Sequence, residues 1–160
     1  MKKNNILYSF VLLFVILFPA CNRGEVFYRF HHIPQGQWRT NDVVIFLMDS
    51  LDFRQDKKHI ISIELSANST YPYQDLWLFV EHNFYTDSIF EIDSIQVFLV
   101  DEFGKRLGSG VGGLRQLSVP FTGDIALDTA IVYEMRIRHG MRDNPLRGIE
   151  KVGVKVLELN

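Results

Sequence analysis

Alternation of apolar and polar residues with a period of two is the dominant pattern of this chain. Over residues 61–67, Ile61, Ile63, Leu65 and Ala67 point one way, and Ser62, Glu64 and Ser66 point the other. Residues 131–138 and 151–156 alternate in the same manner. Because successive side chains of a strand point to opposite faces of the sheet, each segment predicts a strand with one buried and one solvent-exposed face.

Two other segments, residues 43–48 and 76–80, are apolar at every position. Continuous apolar runs of this length are typical of strands that are covered on both faces. We therefore predict two deeply buried strands, and we expect Trp77, within the second run, to be a core residue.

The remaining segments complete an all-β pattern. Residues 26–30 predict a first strand at a sheet edge, residues 93–100 predict another strand, and no long amphipathic helix follows Cys21. Seven or more short strands with frequent turns predict an antiparallel β-sandwich of jelly-roll or immunoglobulin-like type. We expect one such domain over residues 26–160. An aromatic content of 13% suits a sheet-rich core.

The first twenty residues have the pattern of a secretory signal peptide. Lys2 and Lys3 precede an apolar run over residues 6–18, and Ala20 is the small residue that a signal peptidase accepts. The run is shorter than the about 20 residues of a transmembrane helix. Cys21 follows directly, and the whole resembles a bacterial lipoprotein precursor in which this thiol is acylated. A short tether would then cover residues 21–25. The alternatives are a secreted protein with a free Cys21 and a retained membrane anchor.

Charge and cysteine content exclude several classes of protein. Removing residues 1–20 takes away two lysines and leaves 15 basic against 19 acidic residues, a net charge of −4. This balance does not suggest nucleic-acid binding. Cys21 is the only cysteine, so its lipidation would leave no thiol for a disulfide, a thiolate metal site or a cysteine nucleophile.

Motifs that could carry chemistry are weak. Residues 108–113 match the dinucleotide fingerprint G-x-G-x-x-G, but residues 114–124 show no helical period to follow it, so we expect a loop or bulge and no cofactor. The histidines lack metal-ligand spacing, and His31 and His32 would point to opposite faces of a strand. We expect no metal site and no catalytic residue. A small hydrolase is the least favoured function.

Two groups of residues are candidates for binding. Tyr71, Tyr73 and Trp77 could form an aromatic platform for a sugar or an extended peptide. The second group is Met141, Arg142, Asp143 and Leu146, in a charged loop between two strands. Binding residues concentrate on loops that a rigid scaffold supports. We expect Arg142 and Asp143 either to clamp this loop through hydrogen bonds to backbone or to face a partner, and Met141 or Leu146 to present an apolar contact. Asn144 before Pro145 also resembles the start of a very short helix.

Three segments, together with the cysteine at the cleavage site, resemble the gliding motility-associated lipoprotein GldH family. They read YPYQDLWLF over residues 71–79, GKRLGSG over 104–110 and HGMRDNPLRGI over 139–149. The resemblance implies a cell-envelope lipoprotein of Bacteroidota-type bacteria, without known catalytic residues. It implies a role in gliding for members that glide, although the family also occurs in bacteria that do not.

From this resemblance we expect a non-catalytic component that docks onto other proteins of a motility or secretion assembly, held to the membrane by its lipid. A carbohydrate- or peptidoglycan-binding module that uses the surface aromatics is the alternative. Surface export in such bacteria is associated with acidic residues soon after the lipidated cysteine. Here Asn22, Arg23 and Gly24 precede the first acid, Glu25, so we expect the periplasmic face of the outer membrane.

Overall fold

The computed structural model describes residues 24–49, 53–54, 56–86 and 88–159. The predicted signal peptide, Cys21 and residues 22–23 of the tether lie outside these residues. A 3₁₀ turn covers Pro34–Gly36, and no α-helix occurs in the described ranges. The strands are β1 (Glu25–His32), β2 (Gln37–Trp38), β3 (Val44–Met48), β4 (Lys58–Ala67), β5 (Asp75–His82), β6 (Glu91–Phe98), β7 (Arg115–Pro120), β8 (Ile125–Ala126), β9 (Tyr133–His139), β10 (Leu146–Arg147) and β11 (Ile149–Glu158).

The strands form two main antiparallel sheets. The first sheet has the order β1-β11-β4-β7, with β8 also paired to β4. The second sheet has the order β3-β9-β5-β6, and β2 and β10 form a separate two-stranded ladder. β1 lies at an edge of the first sheet, as the sequence predicts. It pairs with β11, at the other end of the described chain, so the fold is closed by long-range contacts.

Inward-facing side chains of both sheets form one hydrophobic core, and the predicted all-β antiparallel sandwich is confirmed. Burying each large aliphatic side chain contributes about 1.5–3 kcal/mol. The fully buried aliphatic and thioether side chains include Ile61, Ile63, Leu65, Val152, Val154 and Val156 of the first sheet and Met48, Leu76, Leu78, Val80, Met135 and Ile137 of the second.

The polar face of β4 is buried, although the sequence predicts that it is solvent-exposed. Glu64 is only 2% exposed because β4 lies inside the sheet, where outward side chains of β11 and β7 cover it. Lys155 Nζ lies 2.8 Å from Glu64 Oε1, and the Ser118 hydroxyl donates to the same oxygen at 2.5 Å. Gln116 donates to the Tyr28 hydroxyl at 2.7 Å. A network of polar and aromatic side chains therefore covers the outer face of the first sheet and compensates the buried carboxylate.

The prediction that β3 and β5 are buried on both faces is wrong. Ile45 and Leu47 are 53% and 56% exposed, whereas the residues that alternate with them are buried. Trp77 is 42% exposed, so it is not a core residue. The physical reason is that the first sheet covers only one face of the second sheet.

The glycine-rich stretch forms the turn of a hairpin that leads into β7. Ser109 and Gln116 exchange backbone hydrogen bonds of 2.9 and 2.7 Å. Gly108 has a φ of 83°, and a Cβ at this position would clash with the carbonyl of Gln116. The expected loop with positive-φ glycines is confirmed. Because a strand follows it, the stretch lacks the helix N-terminus that would hold a pyrophosphate.

Candidate functional site

The charged loop after β9 is pinned to the fold by its last residues. Leu146 is fully buried and lies opposite Trp38 in the ladder of β10 and β2. It is therefore a core residue and does not present an apolar contact to a partner. Asn144 and Pro145 are joined by a cis peptide bond, and the chain continues into β10. The helix start that these two residues resemble is therefore not formed.

Arg142 and Asp143 are both exposed on this loop. Among the described residues, the Arg142 guanidinium donates no hydrogen bond to backbone, so it does not clamp the loop in the way that the sequence suggested. The Tyr73 hydroxyl donates to the Asp143 carboxylate, and this hydrogen bond raises the pKa of Tyr73, while the nearby charge of Arg142 opposes the shift. Both charged side chains therefore lie at the surface beside Tyr73.

The structure brings the aromatic candidates next to the loop but does not align their rings. Tyr71 is buried, its hydroxyl donates to the carbonyl of Asp75 at 2.7 Å, and burial raises its pKa. The rings of Tyr71 and Tyr73 are 5.9 Å apart and inclined at 72°. Trp77 meets the loop through its backbone, where its N–H donates to Met141 Sδ at 3.4 Å. The three rings therefore do not form one open, flat platform.

Other residues, which sequence reasoning missed, hold this end of the sandwich. The Asn68 amide donates to Glu150 Oε1, and the carbonyl of Asn68 accepts from the Arg106 guanidinium. The backbone of Gly148 accepts from Asn68 N at 2.8 Å and donates to Gly36 O at 2.9 Å. The only signal for this arrangement in the sequence was the presence of the two glycines, Gly36 and Gly148. Both have positive φ, and a Cβ on Gly148 would clash with the backbone of the neighbouring loop.

The histidines do not form a metal site in the described part of the chain, where no group of three potential ligands occurs. His31 and His32 lie opposite Val152 and Lys151, on opposite faces of β1 as expected. His59 and His139 are fully buried, and none of their ring nitrogens has a hydrogen-bond partner. Burial lowers the pKa of both, so they are neutral side chains packed against aromatic rings.

The most distinctive surface is the outer face of the second sheet. We call it the apolar face, and its apolar members are Ile45 and Leu47 of β3, Trp77 and Phe79 of β5, and Ile92 and Phe98 of β6. Ile92 and Phe98 are 62% and 56% exposed. The signal for this surface was present in the sequence as the two continuous apolar runs, which were wrongly interpreted as strands buried on both faces.

Two arginines of β9 cross the middle of the apolar face. Arg136 pairs with Glu134 at 2.5 Å and with Glu81 at 3.6 Å. The Arg138 guanidinium lies 4.6 Å from the centre of the Phe79 ring, and no carboxylate of the described residues lies within 4.0 Å of it. Arginine and exposed aromatic side chains are enriched in protein–protein interfaces.

These features define a small antiparallel β-sandwich whose most prominent surface is apolar. The model of the GldH lipoprotein family matches residues 25–156, which include most of the described sandwich. The chain belongs to this family. Membership implies lipid-anchored association with a membrane and a relation to gliding motility. Within the described residues, no helix has the length and apolar character needed to cross a membrane.

Two curated relatives align over almost their full length. The chain is 25% identical over 155 residues to the gliding motility lipoprotein GldH homolog of Christiangramia forsetii, with 92% of this chain and 93% of the relative covered. It is also 25% identical over 154 residues to the gliding motility lipoprotein GldH of Flavobacterium johnsoniae, with 91% and 92% covered. The similarity therefore extends over nearly the whole length of these lipoproteins.

Proposed function

We propose that this chain is a non-catalytic lipoprotein of the outer membrane that docks onto other proteins of a motility- or secretion-linked envelope assembly. Cys21 carries its lipid, and the sandwich lies on the periplasmic side. The observation that carries the proposal is the family match, because it includes nearly all of the folded domain and relates it to gliding motility lipoproteins.

Two of the buried titratable side chains are engaged in pairs within the fold, which supports a docking role over catalysis by these groups. Glu64 is held by Lys155 and Ser118, and His82 Nε2 lies 3.0 Å from Asp93. Glu64 lies on the outer face of the first sheet, and His82 lies on the inward face of β5, packed on Phe84. The carbohydrate alternative has less support, because the buried Tyr71 is steeply inclined to Tyr73 and a sugar ring would need an open, flat surface.

Native electrophoresis of gently solubilised envelopes tests the proposal. We expect the wild-type chain to migrate in a complex much larger than the 18.6 kDa of the full 160-residue precursor. The matched control is Cys21→Ala, which would lose the lipid while leaving the described sandwich unchanged and should leave the complex. If the wild-type chain from the envelopes of gliding cells migrates as a monomer, the proposal is wrong.

A protease added to intact cells tests the orientation. A domain on the periplasmic face should resist cleavage until the outer membrane is permeabilised. Rapid cleavage in intact cells would place the domain on the cell surface and contradict this part of the proposal.

A further inference from the structure

The two outer faces of the sandwich differ sharply in chemistry. The outer face of the first sheet is covered by a polar network around Glu64 and Lys155. The apolar face of the second sheet instead exposes large side chains on three of its four strands. Charged side chains of β9 separate the apolar residues of β3 from those of β5. Large apolar side chains exposed together on one face, with charged residues among them, mark sites of protein or membrane contact in soluble domains.

The charges on the apolar face are unevenly compensated. Glu81 and Glu134 are both engaged by Arg136, in the row that joins Ile45 and Ile92 across the four strands. Arg138, in the adjacent row, is stacked on Phe79. No carboxylate of the described residues lies within 4.0 Å of its guanidinium. The guanidinium fork is therefore free to receive a carboxylate from outside the chain, and such a pair is strong and directional.

We propose that the apolar face is the docking surface for a partner protein of the envelope, and that this partner presents a carboxylate to Arg138 surrounded by apolar side chains. The inference rests on the proposed docking function and specifies the surface and the partner chemistry. Trp77 and Arg138 would lie at the centre of the contact, where residues of these types supply much of the binding energy.

Two other occupants fit the surface less well. A two-fold contact between copies whose axis passes near Arg138 would bring both Arg138 side chains together, and like charges in an interface are costly. A lipid bilayer would have to accommodate Glu81 and Glu134 next to its hydrocarbon, where carboxylates are strongly disfavoured. A protein surface can satisfy the same groups with its own hydrogen bonds.

The size of the face sets the design of the test. Four strands of up to eight residues cover about 14 Å by about 27 Å at the usual strand spacing and rise. This plan area is below half of the about 800 Å² that each partner contributes to a complex of standard size. We therefore expect a contact that depends on both proteins being held in the same envelope, and we test it in intact cells.

Cysteine accessibility provides that test, because a lipidated Cys21 leaves any introduced cysteine as the only free thiol. Ser94→Cys places a thiol on the apolar face next to Phe79, and His32→Cys places one on the outer face of the first sheet. Both residues are exposed and lie on edge strands. With a membrane-permeant maleimide, we expect the thiol at position 94 to react about tenfold more slowly in cells than in the purified lipidated protein, because the contacts around an interface hot spot exclude water. The reaction at position 32 should be equally fast in both.

Charge variants test the partner chemistry. Arg138→Glu should abolish the protection at position 94. Because Arg138 is half-buried, Ile92→Glu provides a second variant at an exposed edge position, and it should weaken the contact by placing a charge among the apolar side chains of the partner. A thermal melt of each variant checks that the domain remains folded. His32→Glu is the control and should leave the protection unchanged.

Three results would overturn the inference. Labelling of position 94 that is equally fast in cells and in the purified protein would show that the face is uncovered. If native complexes persist in that case, the docking function stands and this surface is not the one used. Protection in the purified protein at cellular concentration would show that a second copy covers the face. Protection by vesicles of phosphatidylethanolamine and phosphatidylglycerol alone would show that a membrane does.

Discussion

Lys155 Nζ lies 2.8 Å from the buried carboxylate of Glu64 and is the only cation within 4.0 Å of it among the described residues. We expect Lys155→Met to destabilise the domain by about 2 kcal/mol, less than for a wholly buried pair, because Ser118 still donates to the carboxylate. Chemical denaturation of the soluble domain measures this loss. Lys151→Met, on the same strand and face but without an ion pair, is the control and should cost clearly less. Equal losses would show that the pair has no special role.

The buried histidines predict a loss of stability in mild acid. Burial lowers the pKa values of His59 and His139. The charge of Glu158 partly opposes this at His59, and the backbone of Trp38 and the charge of Asp42 partly oppose it at His139. The unfolded chain therefore binds protons near pH 6.5 while the folded chain does not, so stability is complete above about pH 6.5 and falls as the pH drops below it.

Melting temperatures between pH 8 and pH 5 would show this fall. The variant His139→Leu should flatten the dependence, whereas His32→Gln, at an exposed position, should retain the wild-type profile. A profile of His139→Leu that follows the wild type would assign the acid sensitivity to other groups.

Gly148 is expected to tolerate no side chain. It has a φ of 90°, and a Cβ would clash with the backbone of Tyr71. We expect Gly148→Ala to cost at least about 2 kcal/mol, since the left-handed backbone alone costs about 1–2 kcal/mol. Gly112 also has a positive φ, but the space around it is open, so Gly112→Ala should cost about 1 kcal/mol. Denaturant midpoints of the two variants separate the clash from the backbone strain.

Arg142 and Asn68 should respond to truncation in opposite ways. Arg142 is exposed, so Arg142→Ala should leave the thermal melt unchanged, and any effect should be seen in the native complex. The Asn68 side chain binds Glu150 and Thr70, so Asn68→Ala should cost about 1–3 kcal/mol through unpaired polar groups. If Arg142→Ala alters neither the melt nor the complex, Arg142 is not part of a binding site.

Cys21→Ala should leave the precursor unlipidated and mislocalised, because the acyl chains provide the membrane affinity. Incorporation of labelled palmitate measures lipidation directly, and membrane fractionation measures the location. Incorporation at the wild-type level in Cys21→Ala would show that the lipid is attached elsewhere.

The sequence predicted the fold class well because the period of two is a local property. β4, β9 and β11 alternate as expected, and their apolar residues face the core. Strand neighbours were not predictable in this way. β1 pairs with β11, and this pairing depends on the closure of the whole sandwich.

Burial of individual residues was the weakest part of the sequence prediction. Glu64 was expected in solvent and is buried, because its strand lies inside the sheet. Ile45 and Trp77 were expected in the core and are exposed, because only one face of their sheet is covered. Periodicity shows which residues share a face, but the position of the strand and the number of layers decide whether that face is covered.

In the candidate site too, the sequence predicted local features but not the contacts between distant residues. Composition and spacing identified the loop after β9 and left open whether Arg142 and Asp143 clamp it or face a partner. In the structure, Asn68 and Gly148 make the hydrogen bonds that hold this end of the sandwich. Both lie at turns, and their partners are distant in sequence. Contacts of this kind are made only when the loops of separate hairpins meet.

The start of β1 and the end of β11 lie side by side, where Gly24 O accepts a hydrogen bond from Glu158 N at 2.6 Å. With lipid on Cys21, both would lie next to the bilayer, and a reporter fused after β11 would be held against the lipid headgroups. The ten-residue strand β11 spans about 33 Å at the usual strand rise. The turns at its opposite end, around Asn68 and Gly148, would then lie about that far from the membrane surface, on whichever side of the membrane the lipid is inserted.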